Sequence, residues 1–212
     1  MRFSSEELKH LSVGSLLVIG VFISMLLISI PFDPVIYTLI SIGGLGIFLA
    51  HEFGHKFVAQ KYGFFAEFRI VQQSALFTAI SMIPFFPLKF IAPGTVAVRG
   101  WQATPEQSGK IALIGPITNL VLGGILLILS VVFSDIVIYT GRNIFEGHLT
   151  SFTLGNICYL LAQLSLIIAV FNLIPFGPMD GLKVLNWNRI VFYVSMGISL
   201  TAWISITLLI SI

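Results

Sequence analysis

Long apolar runs, separated by short polar clusters, make up most of the chain. They occupy residues 11–30, 35–60, 107–133, 150–174 and 190–211. A bilayer-spanning helix needs about 20 predominantly apolar residues. The pattern therefore predicts five spanning helices. A further apolar stretch, 74–92, is interrupted by Pro84, Pro87 and Lys89, which makes it a poor continuous span. It reads instead as a re-entrant or interfacial hairpin, because irregular backbone at membrane depth has to be covered by protein. Ala66-Glu67-Phe68-Arg69-Ile70 and Thr95-Val96-Ala97-Val98-Arg99 alternate with period two. They read equally well as short strands beside the membrane or as irregular interfacial loops.

The first run is longer than a secretory h-region. It lacks an Ala-x-Ala cleavage site, and Glu6 and Glu7 precede it where a signal peptide is basic. It is therefore expected to be retained as the first helix.

Composition agrees with a membrane-embedded chain. Of the 212 residues, 57% are hydrophobic and 9% are charged, whereas soluble domains carry about 25% charged residues. This excludes an ordinary soluble enzyme, a disordered chain and a nucleic-acid binder. No second soluble domain or repeat stands out, so residues 1–212 read as a single domain. The single cysteine, Cys158, excludes an intrachain disulfide and reads as a small buried hydrophobe.

Charge placement sets an expected orientation. With five spans and a cytosolic N-terminus, Arg2, Lys9, Lys56, Lys61, Arg69, Lys89, Arg99, Lys110, Lys183 and Arg189 all lie on the cytosolic side, against Arg142 alone outside. That is the asymmetry of the positive-inside rule.

The second run ends in His51-Glu52-Phe53-Gly54-His55. On a helix, residues i and i+4 share a face one turn apart, so both imidazoles reach one metal ion. Glu52, about 100° around the helix from His51, is placed to touch water at that ion without ligating it. Ionisable side chains within an apolar helix are costly unless they are paired or bind something.

A catalytic zinc site needs a third protein ligand. Position 61, at the spacing where some zinc proteases place another histidine, is Lys61. Glu67 lies in the charged loop, Asp33 and Asp135 on the outer side, and His10 and His148 at membrane ends. Asp180 remains, following the fourth run on the same side as the histidines. It sits after Pro175, Gly177 and Pro178, which interrupt the helix. Alone, Asp180 would serve equally as a helix N-cap.

With these residues identified, the chain resembles the site-2 protease family of intramembrane zinc metalloproteases. The resemblance rests on His51-Glu52-x-x-His55 and on Asn172-x-x-Pro175-x-x-x-x-Asp180-Gly181, with a softer match at Gly115-Pro116-Ile117-Thr118-Asn119. Met179 replaces the family's commoner leucine. The fold implied is all-α and polytopic, with five to six transmembrane helices, a three-helix catalytic core within about 35–190, and a short membrane-associated β or re-entrant segment.

The resemblance implies one Zn2+ per chain held by His51, His55 and Asp180, with Glu52 as general base. Asn172 and Asn119 are candidates for holding the substrate backbone or the transition-state oxyanion; interhelical hydrogen bonding is the simpler role for each. Gly115-Pro116 reads as a kink that opens a water path. The Gly43-Gly44-Leu45-Gly46 cluster reads as close helix packing.

The expected activity is zinc endopeptidase cleavage within membrane-spanning segments of single-span protein substrates, near the cytosolic face of the plasma membrane. This is the chemistry of regulated intramembrane proteolysis. Its partners are those substrates and the lipid bilayer, with no nucleic acid. The alternative is a membrane metal-binding or transport protein that uses the same ligands without proteolysis. Transport calls for ligands spread through the bilayer, and these lie at one level.

Overall fold

The five long helices start where side chains satisfy their first N–H groups. Asp33 accepts from Val35 N and Ile36 N, both at 2.9 Å, and Pro34 takes the first helical position. Thr104 and Gln107 form a reciprocal capping box, and Thr153 and Asn156 another, so each helix begins at a fixed residue. The computed structural model describes residues 3–29, 32–87, 89–99, 103–142, 149–177 and 179–208. Of the residues singled out above, Arg2, His148 and Pro178 lie outside them, as do the side chains of Arg99 and Arg142.

In chain order the elements are α1 (Ser5–Ser29), α2 (Pro34–Lys61), β1 (Phe65–Ile70), α3 (Gln72–Ile80), β2 (Gly94–Arg99), α4 (Pro105–Val132), β3 (Val137–Arg142), β4 (Leu149–Thr153), α5 (Leu154–Asn172), α6 (Asp180–Trp187) and α7 (Arg189–Leu208). Among the described residues, five helices are long and apolar enough to cross a membrane: α1, α2, α4, α5 and α7. Large apolar side chains remain exposed on them, including Leu16, Ile128, Val131 and Ile190. That is the surface expected of helices in contact with lipid.

Helix α4 packs against α5, α2 and α6, and α1 flanks α2. The main core joins Phe22 of α1, Ile40, Ile47 and Phe48 of α2, Phe68 of β1, and Ile157, Leu161, Leu164 and Ile168 of α5. At the far end of α7, the Tyr159 hydroxyl donates to the Ile206 carbonyl.

Both alternating stretches are strands, and they pair antiparallel with Phe65 opposite Arg99 and Ile70 opposite Gly94. The stretch 74–92 contains α3, which ends at Ile80 and is followed by bends. Lys89 closes those bends: its Nζ donates to Ser24 Oγ, Ser81 O and Ile83 O, each at 3.0 Å.

Three features differ from the sequence reading. Helix α1 begins at Ser5 rather than near residue 11, because Ser4 Oγ caps Glu7 N and the Glu7 carboxylate is neutralised inside the fold. Residues 137–142 and 149–153 pair as β3 and β4, and helix α5 starts only after Thr153. Glu67 lies on β1 rather than in a charged loop; it is buried and paired with the Arg69 guanidinium.

Candidate metal centre

Helix α2 carries His51 and His55 on one face and turns them toward α4 and α6. The two Nε2 atoms lie 3.0 Å apart, with the rings edge to face. Asp180 is the first residue of α6 and brings Oδ2 to 3.3 Å from His51 Nε2 and 3.0 Å from His55 Nε2. All three residues are buried. The N-cap of α6 is Met179, so Asp180 is not used as a cap and its carboxylate faces the histidines.

Three electron-pair donors converging at 3.0–3.3 Å call for a cation between them. A tetrahedral zinc with bonds of about 2.0–2.2 Å to nitrogen and oxygen sets its ligands about 3.3–3.5 Å apart. The triangle lies at or just below that spacing, so its three donors need only a small outward shift to hold zinc.

The surroundings hold these donors in place. His55 Nδ1 lies 2.6 Å from the Ile111 carbonyl. Only an N–H can make that bond, so Nδ1 carries a proton, which leaves Nε2 as the ring nitrogen free to ligate a metal. Gly115, one turn further along α4, lets the helices approach closely. A Cβ there would lie 2.6 Å from His51 Nε2 and would also strike the His55 ring. Gly181 does the same for α6, since a Cβ there would collide with the Leu173 carbonyl at the end of α5. The second oxygen of Asp180 faces Lys183 Nζ at 3.6 Å.

Glu52 is buried, and its Oε2 has no protein partner. It lines a cavity of about 30 Å³ with His51, His55, Asn172 and Asp180, closed over by Gly94 and Thr95 of β2. A single water needs about 10–15 Å³, so this space admits water but no peptide. A larger cleft of about 180 Å³ adjoins it, lined by His55, Thr95, Val96, Val98, Ser108 and Lys183.

Asn172 reaches the cavity wall, while its Nδ2 donates back to the Ile168 carbonyl at 3.0 Å. Asn119 does not line the cavity. It is fully buried, with neither side-chain amide atom partnered, and its backbone carbonyl accepts from Ser165 Oγ. The sequence reading gave Lys183 no role at the site. Lys183 had a readable signal, since it lies three residues past Asp180 and shares its helical face.

Comparison with known proteins places the chain. The model of peptidase family M50 matches residues 37–191, a span containing all the residues of this centre, and the chain belongs to that family, the site-2 proteases. It is 33% identical over 192 residues to "Putative zinc metalloprotease MJ0611" of Methanocaldococcus jannaschii, covering 90% of this chain and 89% of that one. It is 29% identical over 136 residues to "Zinc metalloprotease MJ0392" of the same organism, covering 64% of this chain and 30% of that one. A Mycobacterium tuberculosis relative, "Putative zinc metalloprotease Rip3", is 27% identical over 165 residues, covering 74% of this chain and 34% of that one. The chain thus spans about a third of the length of the last two. No solved structure matches it. The family and its relatives make this a membrane metalloprotease, and the His51–His55–Asp180 cluster suits zinc.

Proposed function

We propose that the chain is an intramembrane zinc endopeptidase that cuts the membrane-spanning segments of single-span substrates near the cytosolic face. The observation that carries this is the unpartnered Glu52 carboxylate on the wall of the same small cavity as three converging donors. His51, His55 and Asp180 hold one zinc per chain. When bound, zinc supplies Lewis acidity to the scissile carbonyl and to water. Glu52 takes the proton from the attacking water and delivers it to the leaving amide nitrogen. Asn172 orients the substrate backbone beside it. Asn119 is a weaker candidate for that role, since it stands away from the cavity.

A helical substrate hides its scissile amide in its own hydrogen-bond ladder, so it must unwind before cleavage. The β1–β2 ribbon offers an edge for the unwound chain. Phe68 N and Ile70 N point away from β2, toward α1. By strand alternation, the N–H and C=O groups of Val96 and Val98 point away from β1, on the side of the cleft. An extended substrate adds there as a third strand. The ribbon and α3 lie at the membrane interface in this reading. The positive charge near α2, α4 and α6 supports a cytosolic location for this end of the molecule, and a plasma membrane is the membrane we propose. Release of a membrane-tethered regulator is the product expected of such cleavage.

The test is cleavage of a membrane-tethered reporter by the wild type and by Glu52→Ala. Cleavage by the wild type alone supports the reading. Equal cleavage by both would sink it. Metal flux into liposomes that depends on Asp180 would instead favour transport.

A further inference from the structure

Helix α1 lies outside the metal centre, yet it carries a fully buried carboxylate that touches two elements of the site at once. Glu7 and Lys56 are 0% and 1% exposed. Glu7 Oε2 accepts from Lys56 Nζ, and Lys56 is the residue after His55 on α2. The other oxygen, Oε1, accepts from Phe68 N of β1 at 3.0 Å. One turn along α1, His10 Nδ1 accepts from Ile70 N at 3.4 Å, two residues further along the strand. Phe3 lies over the ammonium, with its ring centre 3.9 Å from Lys56 Nζ.

A pair this deeply buried is seldom needed for stability. Well-packed apolar residues in its place are often as stable or more so. What an apolar pair cannot do is accept the Phe68 N–H. The strand would then keep a buried, unsatisfied donor and would lose its link to α1.

We propose that Glu7 is a positioning residue for proteolysis. Its side-chain oxygen holds the β1–β2 ribbon against α1, which packs on the metal-bearing helix α2, and so fixes the height at which β2 presents a substrate strand to His51, His55 and Glu52. The two contacts differ in kind. Lys56 neutralises the buried carboxylate, and Phe68 N anchors the ribbon to it. His10 and Glu7 together also cover the outer edge of β1. This blocks strand addition on the side away from the metal and leaves β2 as the open edge. The proposal rests on the protease reading above.

Two double variants separate positioning from simple stabilisation. Both remove the buried charges. Glu7→Gln with Lys56→Met keeps an amide oxygen that accepts from Phe68 N. Glu7→Met with Lys56→Met keeps no acceptor. Each is purified in detergent, loaded with zinc, and measured for zinc content, for amide hydrogen exchange over 65–70 and 94–99, and for cleavage of the tethered reporter in proteoliposomes. The wild type and Glu52→Gln run alongside.

Both double variants should hold as much zinc as the wild type. The Gln/Met variant should stay within about threefold of wild type in exchange and cleavage. The Met/Met variant should exchange at least tenfold faster in the ribbon and cleave at least tenfold more slowly. A purely structural role would leave the two variants alike, and that result overturns the proposal. Faster ribbon exchange with unchanged cleavage overturns it as well. If the wild type cleaves no better than Glu52→Gln, the protease reading fails, and ribbon exchange in the two variants still decides whether the acceptor at position 7 holds the ribbon to α1.

Discussion

The Ile111 carbonyl sits 2.6 Å from His55 Nδ1 and settles which nitrogen of that ring faces the centre. It lies one turn before Gly115, where α4 runs against both imidazoles. Helix α4 therefore contributes no donor to the centre but shapes it through its backbone. Adding a methyl group at Gly115 tests this. Gly115→Ala should fold, because alanine favours a helix. It should lose at least tenfold in zinc affinity, read by competition with a chromogenic chelator. Unchanged affinity would mean that α4 and α2 separate freely at this point.

Glu52 and the donors should respond differently to substitution. Glu52→Gln keeps the side-chain volume and removes the base, so zinc should stay bound. Cleavage should fall by about 10²–10⁴-fold, the usual contribution of a positioned general base. His51→Ala and Asp180→Ala should lose both zinc and cleavage. Full activity in Glu52→Gln would require another base, and among the described residues no other carboxylate but Asp180 lies on the cavity wall.

Strand addition at β2 predicts sensitivity to a missing N–H. Val98 is exposed and faces the cleft, so Val98→Pro removes an edge donor with little change in packing. One hydrogen bond contributes about 0.5–1.5 kcal/mol, so kcat/KM should fall roughly two- to tenfold, mainly through KM, with zinc unchanged. Val98→Ala should cleave at close to the wild-type rate. An equal loss in both variants would assign the effect to the side chain rather than to the backbone.

Lys89 holds the bends after α3 through three acceptors and no carboxylate. Burial pulls its pKa below the usual lysine value. Lys89→Ala should leave these acceptors without their shared donor and loosen residues 81–93. Limited proteolysis within that segment should then be faster than in the wild type, with zinc content preserved.

What could be read from the sequence follows the range of the interactions. His51, Glu52 and His55 are four residues apart at most, and one helical turn fixes their geometry. Asp180 was reached by its side of the membrane and by the breakers before it. The strands β1 and β2 showed through their alternation, although their pairing across about 30 residues depends on α3 and its bends. The β3–β4 ribbon was hidden because Leu149–Thr153 holds no charge, glycine or proline and so merges with the apolar helix that follows. Only the Thr153–Asn156 capping box separates the two. Glu7 and Lys56 are 49 positions apart, and each looked like a surface charge. Lys56 was counted toward the cytosolic face, yet Glu7 neutralises it inside the fold. Local spacing carries no signal for a contact of that kind.

The most direct test of the account is the zinc content of purified wild-type protein and of His55→Ala, measured by mass spectrometry of the metal after dialysis against a weak chelator. The account predicts about one zinc per wild-type chain and loss of it in the variant, as a site with three protein ligands requires. Zinc retained in full by His55→Ala, or absent from the wild type even after reconstitution, would contradict it.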